Sequence, residues 1–357
     1  MTVVVFLVAV ALLYGIWCFT IRKGLKSLSC TRAFSRPAAF EGEEAEVVEV
    51  VRNDKPIITP WLMVESRISP YLKLGRQDNL HVSGDMHYCS QFTLLPYQQI
   101  RRRHRVRFLH RGAYNLGNAS LTAGDILGFS RFQRTQELDA PVLVYPSLIA
   151  DEDLPVPMSR MLGELTRRTQ LQQDPFLVRG IRPYLPGDPV RDIHWPATAR
   201  TGEAQVRVHD YSARTKLLVI LNVQKQELQW HDHISEEDGE FVEQAIRLAA
   251  TVCVRGLRDG LAVGFAANMP MDNPKESTVL LPADGAAREE ELLATFARLK
   301  ILRTENFPAF LENLTSLTGM DMVIMSPYDS DSIQTAITQL RRGGNQVTFH
   351  RYQGGRV

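Results

Sequence analysis

The chain is short of the patterns that mark disulfide-rich, zinc-binding and nucleic-acid-binding proteins. Its 357 residues include four cysteines, which lie far apart and form no C-x-x-C pair. That spacing indicates neither a disulfide framework nor a zinc site. The formal net charge is +1, and no nucleic-acid-binding motif occurs. We therefore expect no nucleic-acid partner.

Signatures of several enzyme classes are missing as well. The sequence contains no G-x-x-x-x-G-K-[ST] phosphate loop and no G-x-S-x-G nucleophile elbow. His231, Asp232 and His233 form one tight group of metal-type residues, but their spacing matches no standard zinc pattern and favours a solvated loop. We expect no cofactor and no metal, and we predict that the chain is not an enzyme.

An uncharged segment opens the chain. Thr2 to Ile21 holds no charged residue, and about 20 apolar residues are enough for a helix to cross a bilayer. No Lys or Arg precedes this run, and bulky residues stand where signal-peptide cleavage needs small ones, so residues 1–22 are predicted to be an uncleaved transmembrane helix. Five basic residues follow before the first acidic residue, Glu41. Because basic flanks stay inside, we expect a single-pass cell-membrane protein with most of the chain in the cytoplasm.

Residues 37–150 carry the alternating pattern of β-strands. Val106 and Phe108, for example, alternate with arginines. Turn residues separate the strands at short intervals and no clear helix intervenes, which predicts an immunoglobulin-like β-sandwich. The basic run from Arg101 to Arg105 is interpreted as the polar face of an exposed strand and its loop. The alternative is a contact with anionic lipid or with an acidic partner.

From residue 215 the pattern changes to alternating strands and helices. Leu217 to Leu221 is a continuous apolar run, typical of a strand buried on both faces of a parallel sheet. A helical spacing from Val242 to Leu257 follows, and Gly260 is placed to end that helix. Residues 215–357 are therefore predicted to form a doubly wound α/β domain. Ligands of such sheets bind at the carboxyl ends of the strands, so the end of the first strand is the place to look for chemistry.

The connecting segment, residues 151–214, contains a dense motif at residues 180–202. Its ordered residues are Arg182, Tyr184, Pro186, Gly187, Asp188, Arg191, Ile193, His194 and Trp195, followed by Ala199, Arg200, Thr201 and Gly202. This motif resembles the signature of the bacterial family catalogued as domain of unknown function 58. The upstream stretches RGAYNLG and GDILGFSRF are similar to that family too, so the resemblance covers nearly the whole chain.

The resemblance implies a β-sandwich followed by a von Willebrand factor A-like domain. It also implies a protein partner, because members often pair with MoxR-type AAA+ ATPases, which are cytoplasmic. It brings no established enzymatic activity. The chain departs from the family at Pro196, where members commonly have Lys. We expect a membrane-anchored, non-catalytic adaptor for a MoxR-type ATPase, while its cellular process and oligomeric state stay open.

The signature residues have a structural and a functional interpretation. In the structural one, a salt-bridged knot forms among Arg182, Asp188, Arg191 and Asp192. Trp195 then anchors the segment in an apolar groove, and Gly187 allows a turn after Pro186. In the functional one, the same residues build a binding surface for an ATPase or a peptide. The structural interpretation is favoured, and some residues can do both.

The resemblance also points to a metal position that is degenerate here. Von Willebrand A domains often bind Mg²⁺ through D-x-S-x-S after the first strand, because hard cations need carboxylate and hydroxyl oxygens. The aligned residues of this chain are Asn222, Gln224 and Gln226, with Lys225 between the two glutamines. The carboxylate and both serines are absent, so we predict no metal at this site.

Two other functions stay open. One is a hydrolase that uses His194, Asp192 and Arg200 near the sheet. No nucleophile motif lies nearby, and a structural role for the histidine is favoured. The other is an extracellular adhesin, which requires that the domains lie outside the cell.

Overall fold

The computed structural model describes residues 27–75, 80–83, 87–124, 131–171, 173–211, 215–227, 229, 236–273, 277–302 and 305–352, together with Val5 and Tyr14. Apart from those two residues, the predicted membrane helix lies outside this part of the chain, as does the group His231 to His233. No helix within the described ranges is long and apolar enough to cross a membrane. The chain divides into two compact units, Met1–Ser147 and Leu148–Val357.

The first unit consists of β-strands. Their bounds are β1 Leu28–Phe34, β2 Ala38–Phe40, β3 Glu44–Asn53, β4 Thr59–Arg67, β5 Leu72–Leu74, β6 Leu80–Ser83, β7 His87–Leu94, β8 Gln99–Phe108, β9 Gly112–Asn115, β10 Ala119–Gly124, β11 Arg131–Gln136 and β12 Pro141–Tyr145. The β-rich N-terminal region expected from the alternating pattern is confirmed. The first strand begins ahead of residue 37, where the sequence analysis began the sandwich.

Two main sheets face each other in this unit. β1, β3, β8 and β5 form sheet A in that order, and β11, β10, β4, β7 and β6 form sheet B; both are antiparallel. Cys30 and Val51 of sheet A share one core with Leu62 and Phe92 of sheet B. A small third sheet, β2–β12–β9, covers the other end of sheet A. Burial alternates along β8 because one face of the strand meets these cores and the other meets solvent.

The second unit begins with a helix and a hairpin and continues into alternating strands and helices. Its elements are α1 Val156–Leu171, β13 Gln173–Pro183, a 3₁₀ turn Val190–Asp192, α2 Trp195–Thr201, β14 Gln205–Tyr211, β15 Lys216–Leu221, α3 Glu236–Arg258, β16 Ala262–Ala267, β17 Leu280–Ala283, α4 Ala286–Arg298, α5 Phe307–Asn313, β18 Asp321–Ser326, α6 Asp331–Arg342 and β19 Gln346–Arg351.

A five-stranded sheet with helices on both faces forms the body of this unit. The strand order is β17–β16–β15–β18–β19, and only β17 runs antiparallel to its neighbour. Val219 and Leu221 of β15 pack with α1, α3 and α4 on one face, whereas Leu218 and Ile220 pack with α5 and α6 on the other. All four side chains are fully buried. The mixed α/β arrangement expected for the C-terminal part is confirmed.

The connecting segment contributes to this body as well. α1 places Met158, Leu162 and Leu165 in the same core as the apolar face of α3. The spacing of these residues puts them on one side of the helix. β13 and β14 form a separate two-stranded sheet, which carries the signature residues.

Candidate functional site

The signature residues fold as a small hairpin closed by a short helix, here called the signature module, residues 180–206. β13 and β14 pair antiparallel, with Arg182 opposite Val206. The 3₁₀ turn and α2 occupy the connection between the strands. Ile193 makes a single bridge to Val206, whose side chain is buried. This bridge ties the connection back onto β14.

A forked ion pair fixes the first turn of the module. Arg182 donates from Nη1 and Nη2 to the two carboxylate oxygens of Asp188, each at 2.7 Å. Asp188 Oδ2 also accepts the backbone N–H of Leu185 at 2.8 Å. These two partners hold the pKa of Asp188 below its usual value, because they stabilise the ionised carboxylate. Gly187 has a φ of 106°, so the prediction that it permits the turn is confirmed.

His194 connects the helix to the strand. Its backbone N–H donates to the carbonyl of Gln205 at 2.7 Å. Its Nδ1 accepts the backbone N–H of Ala197 at 3.1 Å and so caps α2. Thr198 Oγ1 accepts the N–H of Gln205 at 3.0 Å, which fastens α2 to β14 a second time. The geometry gives His194 a structural role.

The remaining charged signature residues are less constrained. Arg191 is 86% exposed at its side chain, and its Nε lies 3.9 Å from Asp192 Oδ1. That separation is a loose ion pair rather than a hydrogen bond. Arg200 is exposed in the last turn of α2, and Gly202 caps the end of this helix with a φ of 75°. Of the two ion pairs in the predicted four-residue knot, Arg182–Asp188 is therefore the tighter one.

Large apolar side chains of the module face solvent. The signature patch consists of Ile181, Leu185, Val190 and Trp195, which are 47%, 58%, 67% and 66% exposed. The expectation that Trp195 anchors the segment in an apolar groove is wrong. Pro196, within the first two positions of α2, and the His194 cap fix the backbone beside the indole instead. Tyr184 is half-buried, and Pro186 is exposed in the turn.

A second candidate site lies at the carboxyl end of the central strand β15. Asn222 is fully buried there, and its Nδ2 donates to Ser326 Oγ at 2.9 Å. Its Oδ1 accepts the backbone N–H of Gln224 at 3.0 Å and Nδ2 of Asn268 at 3.4 Å. Ser326 Oγ in turn donates to the carbonyl of Tyr328 at 2.6 Å. We call these residues, Asn222, Gln224, Asn268 and Ser326, the amide network.

The other aligned metal positions are also occupied by neutral groups. Gln224 is fully buried, and its Oε1 accepts the backbone N–H of Phe307 at 2.8 Å. Gln226 is exposed. Lys225 forms an ion pair with Asp238, and its Nζ lies 5.2 Å from the ring centroid of Phe241. The ammonium group is thus directed at a carboxylate and an aromatic ring.

The amide network fits a divalent cation poorly. Mg²⁺ prefers carboxylate oxygens, and the buried oxygens of Asn222 and Gln224 already accept hydrogen bonds from the protein. Within the described ranges, no three His, Cys, Asp or Glu residues group closely enough to hold a metal. Sequence reasoning missed Asn268. Its position directly after β16, beside β15, is the signal that could have found it.

A family match covers the signature module and three of the four residues of the amide network. Residues 180–300 match the family described as "Protein of unknown function DUF58". This part of the chain belongs to the DUF58 family. The match begins in the signature module and extends past the ends of β15 and β16, where Asn222, Gln224 and Asn268 lie. No curated protein matches the chain.

Three solved structures are similar to about a third of the chain. A non-cellulosomal cohesin from Archaeoglobus fulgidus is 11% identical, with 35% of this chain and 94% of the cohesin covered, at a TM-score of 0.24. A CARDB domain from Pyrococcus furiosus is 13% identical over 32% of this chain and 86% of that domain, at a TM-score of 0.21. A Clostridium thermocellum cohesin is 11% identical over 32% and 99%, at a TM-score of 0.22.

Proposed function

We propose that this DUF58 protein is a membrane-anchored, non-catalytic adaptor that binds a protein partner through the signature patch. The observation that carries this proposal is the exposure of Leu185, Val190 and Trp195 on a module braced by hydrogen bonds. Burial of large apolar side chains drives association, and Trp and Arg are enriched among residues that dominate binding energy. Arg191 stands beside Val190 with a largely exposed side chain.

The rigidity of the module also favours a binding role. The Arg182–Asp188 fork and the His194 cap hold the backbone on either side of the patch. A preorganised surface loses less conformational entropy on association than a flexible loop. The structural and the functional interpretations of the signature are therefore compatible, because one set of residues braces the module and another presents the patch.

The absence of catalysis is proposed from the groups that an enzyme would need. A hydrolase that uses His194 requires its imidazole as a base, yet Nδ1 already serves as the helix cap. The amide network offers no ionisable group at the end of β15, where α/β sheets bind their ligands. We propose a von Willebrand factor A-like fold for this domain and an immunoglobulin-like fold for the sandwich.

The membrane anchor and the partner are proposed from the sequence. The uncharged run from Thr2 to Ile21 supports an anchor, and the basic residues that follow it support a cytoplasmic location. The family resemblance supports a MoxR-type AAA+ ATPase as the partner. Protease treatment of intact cells checks the location. Cleavage of the sandwich or of the α/β domain by external protease would instead support the adhesin alternative.

Co-purification of the full chain with the MoxR-type ATPase of the same cell, in mild detergent, tests the adaptor proposal. We expect Val190→Ser combined with Trp195→Ala to weaken capture at least tenfold, the change that follows from losing about 1.4 kcal/mol at a binding hot spot. Leu281→Ser is the matched control, because Leu281 is a similarly exposed residue, at 54%, outside the module. Equal capture of the double variant and the control contradicts the proposed surface. Failure of the unmodified chain to capture the ATPase contradicts the proposed partner.

A further inference from the structure

A row of arginines covers the outer face of sheet A. Along β8, His104, Val106 and Phe108 are buried. The residues between them, Arg101, Arg103, Arg105 and Arg107, are exposed. Side chains two residues apart on a strand point to the same face at a spacing of about 7 Å. We call these four residues the arginine row.

The neighbouring strands neutralise this row only in part. On β3, Glu44 lies opposite Arg107 and Glu46 lies opposite Arg105, whereas Val48 and Val50 lie opposite the other two arginines. The ion pair from Arg103 Nη1 to Glu46 Oε2 is 3.6 Å long and more than 40% exposed at both side chains. On the other side, Lys73 of β5 lies opposite Arg107 and is exposed.

The face therefore carries an excess of positive charge. The row and Lys73 supply five cations against the two carboxylates of Glu44 and Glu46. Like charges at neighbouring positions on one face of a sheet repel each other. An anionic ligand would relieve this repulsion. A guanidinium group also binds phosphate in a bidentate manner, which makes arginine suited to phosphate recognition.

We propose that the arginine row binds the phosphate headgroups of anionic phospholipids at the membrane surface. The row lies on a sheet face, which can approach a bilayer over the length of β8. On β3, the half-buried Val48 and Val50 lie beside Arg103 and Arg101. Sites for single-stranded nucleic acid combine basic groups with aromatic side chains on which bases stack. The described residues of β1, β3, β5 and β8 present no aromatic side chain beside the row on this face.

The position of the sheet in the chain favours a membrane over an acidic protein. β1 belongs to sheet A and begins at Leu28, shortly after the apolar run that ends at Ile21. The intervening residues can reach at most about 25 Å when extended. This step depends on the proposed anchor, which would hold sheet A close to one leaflet. Arg22, Lys23 and Lys26 add basic groups along the same connection.

The test is arginine footprinting of the full chain with phenylglyoxal in two kinds of vesicle. One is phosphatidylcholine alone, and the other is two parts phosphatidylcholine to one part phosphatidylglycerol. We expect the four arginines of the row to react roughly fivefold more slowly in the anionic vesicles, and this protection to disappear near 1 M salt, where charge screening acts within about 3 Å. Arg67 and Arg131 of sheet B, which are also exposed, serve as internal controls.

Flotation of the vesicles separates the failure of this proposal from the failure of the anchor. If the chain floats with both vesicles and the row reacts equally in both, the lipid proposal is overturned while the anchor stands. If it floats only with the anionic vesicles and the row is protected, the lipid proposal is supported and the anchor is not. If it floats with neither, both are overturned. Stronger protection of the row by an acidic peptide or an oligonucleotide than by anionic vesicles assigns the row to that ligand and overturns the lipid proposal.

Discussion

One group of buried polar residues in the β-sandwich contains charged side chains, whereas the buried polar residues at the end of β15 are neutral. In the sandwich, Arg32 Nη2 donates to Glu49 Oε1 at 2.5 Å, and Arg32 Nη1 donates to Ser66 Oγ at 2.8 Å. Tyr88 OH donates to the second oxygen of Glu49 at 3.2 Å, and His104 Nε2 lies 3.9 Å from the same oxygen. Arg32 and Glu49 have 1% and 0% of their side-chain surface exposed. We call this group the ionic cluster.

The two groups solve the same problem by different means. Each group buries polar side chains in the protein core and provides them with hydrogen-bond partners. Burial of an unpaired polar group would cost folding free energy. In the ionic cluster the charges of Arg32 and Glu49 must both be present, because each compensates the other. The amide network depends on hydrogen-bond geometry alone. The stability of the sandwich should therefore depend strongly on pH and on the loss of a single charge. The stability of the α/β domain should instead fall when a charged side chain is introduced at the end of β15.

Loss of the Glu49 carboxylate is expected to have the largest effect. Glu49→Gln leaves the Arg32 guanidinium buried without a counter-charge, and such one-sided losses cost about 3–5 kcal/mol. Hydrogen exchange of β3 and β8 amides in rising urea measures the free energy of unfolding of the sandwich. Glu46→Gln on the same strand is the control, because its exposed ion pair with Arg103 should contribute at most about 1 kcal/mol. A similar loss in both variants would show that the buried charge is not what matters.

Acid should destabilise the sandwich more than the α/β domain. Burial by itself raises the pKa of Glu49, but the neighbouring His104 and the Arg32 charge outweigh it and hold that pKa below its usual value. A lowered pKa means that the native state favours the ionised carboxylate. The stabilisation is therefore complete above the unfolded pKa of about 4.3 and is lost as the pH falls through the native pKa. The same exchange experiment between neutral pH and pH 3 measures this loss.

The control for this acid effect removes both charges at once. Replacing Arg32 and Glu49 together by Met leaves no buried ion pair, and such a replacement is often neutral or stabilising. The double variant should retain a folded sandwich whose stability falls less at acid pH. An unchanged acid dependence in the double variant would assign the effect to other groups.

Introducing a charge into the amide network should have an intermediate effect. Asn222→Asp removes the N–H that binds Ser326 Oγ and places a carboxylate at a fully buried position. We expect a loss of about 1–3 kcal/mol at neutral pH, since the new group is left partly unpaired. The loss should shrink as the pH falls and the carboxyl is protonated. Added Mg²⁺ should not restore stability. Thermal unfolding of the α/β domain measures both effects.

An exposed position provides the control for this substitution. Gln226→Asp adds the same charge at an exposed aligned position, where surface substitutions usually change stability by at most about 0.5 kcal/mol. Full recovery of the Asn222→Asp variant by Mg²⁺ would show that the network can accept a cation after all.

The partly buried Arg182–Asp188 pair should give the smallest effect. Asp188→Asn removes the charge that holds the fork, so the amide of Leu185 should exchange faster while the amides of β15 and β18 stay unchanged. Because the pKa of Asp188 is lowered, the unmodified turn should loosen in the same way as the pH falls through that pKa. Glu203→Gln in the same module is the control. Faster exchange throughout the α/β sheet of the Asp188 variant would contradict a purely local role.

The α/β domain was the part of the fold most accessible from sequence. The run from Leu217 to Leu221 predicted a strand buried on both faces, and β15 fits that description. The helical spacing before Gly260 predicted α3, which ends at Arg258. These elements are readable because their burial is nearly complete and therefore leaves a continuous or periodic apolar pattern.

Other features depend on contacts that no local pattern records. α1 was missed because its apolar face is narrow and needs the α/β core to cover it. Arg32 interrupts the inward-facing row of β1, and only the tertiary fold shows that Glu49 and Ser66 meet it. Trp195 was expected to be buried, but the exposure of a side chain depends on what packs beside it. The signature residues were identified from sequence, while their division into bracing and exposed groups required the structure.

The order of the strands in the α/β sheet has a consequence for synthesis of the chain. β15 lies at the centre of the sheet, and one of its neighbours, β18, is made long after it, since Leu221 pairs with Met325. Ribosomes add about 5–20 residues per second, so one edge of β15 waits roughly 5–20 s for its partner. Unpaired apolar strand edges recruit other chains. The nascent protein is therefore most vulnerable to aggregation in this interval, and chaperone contacts should concentrate there.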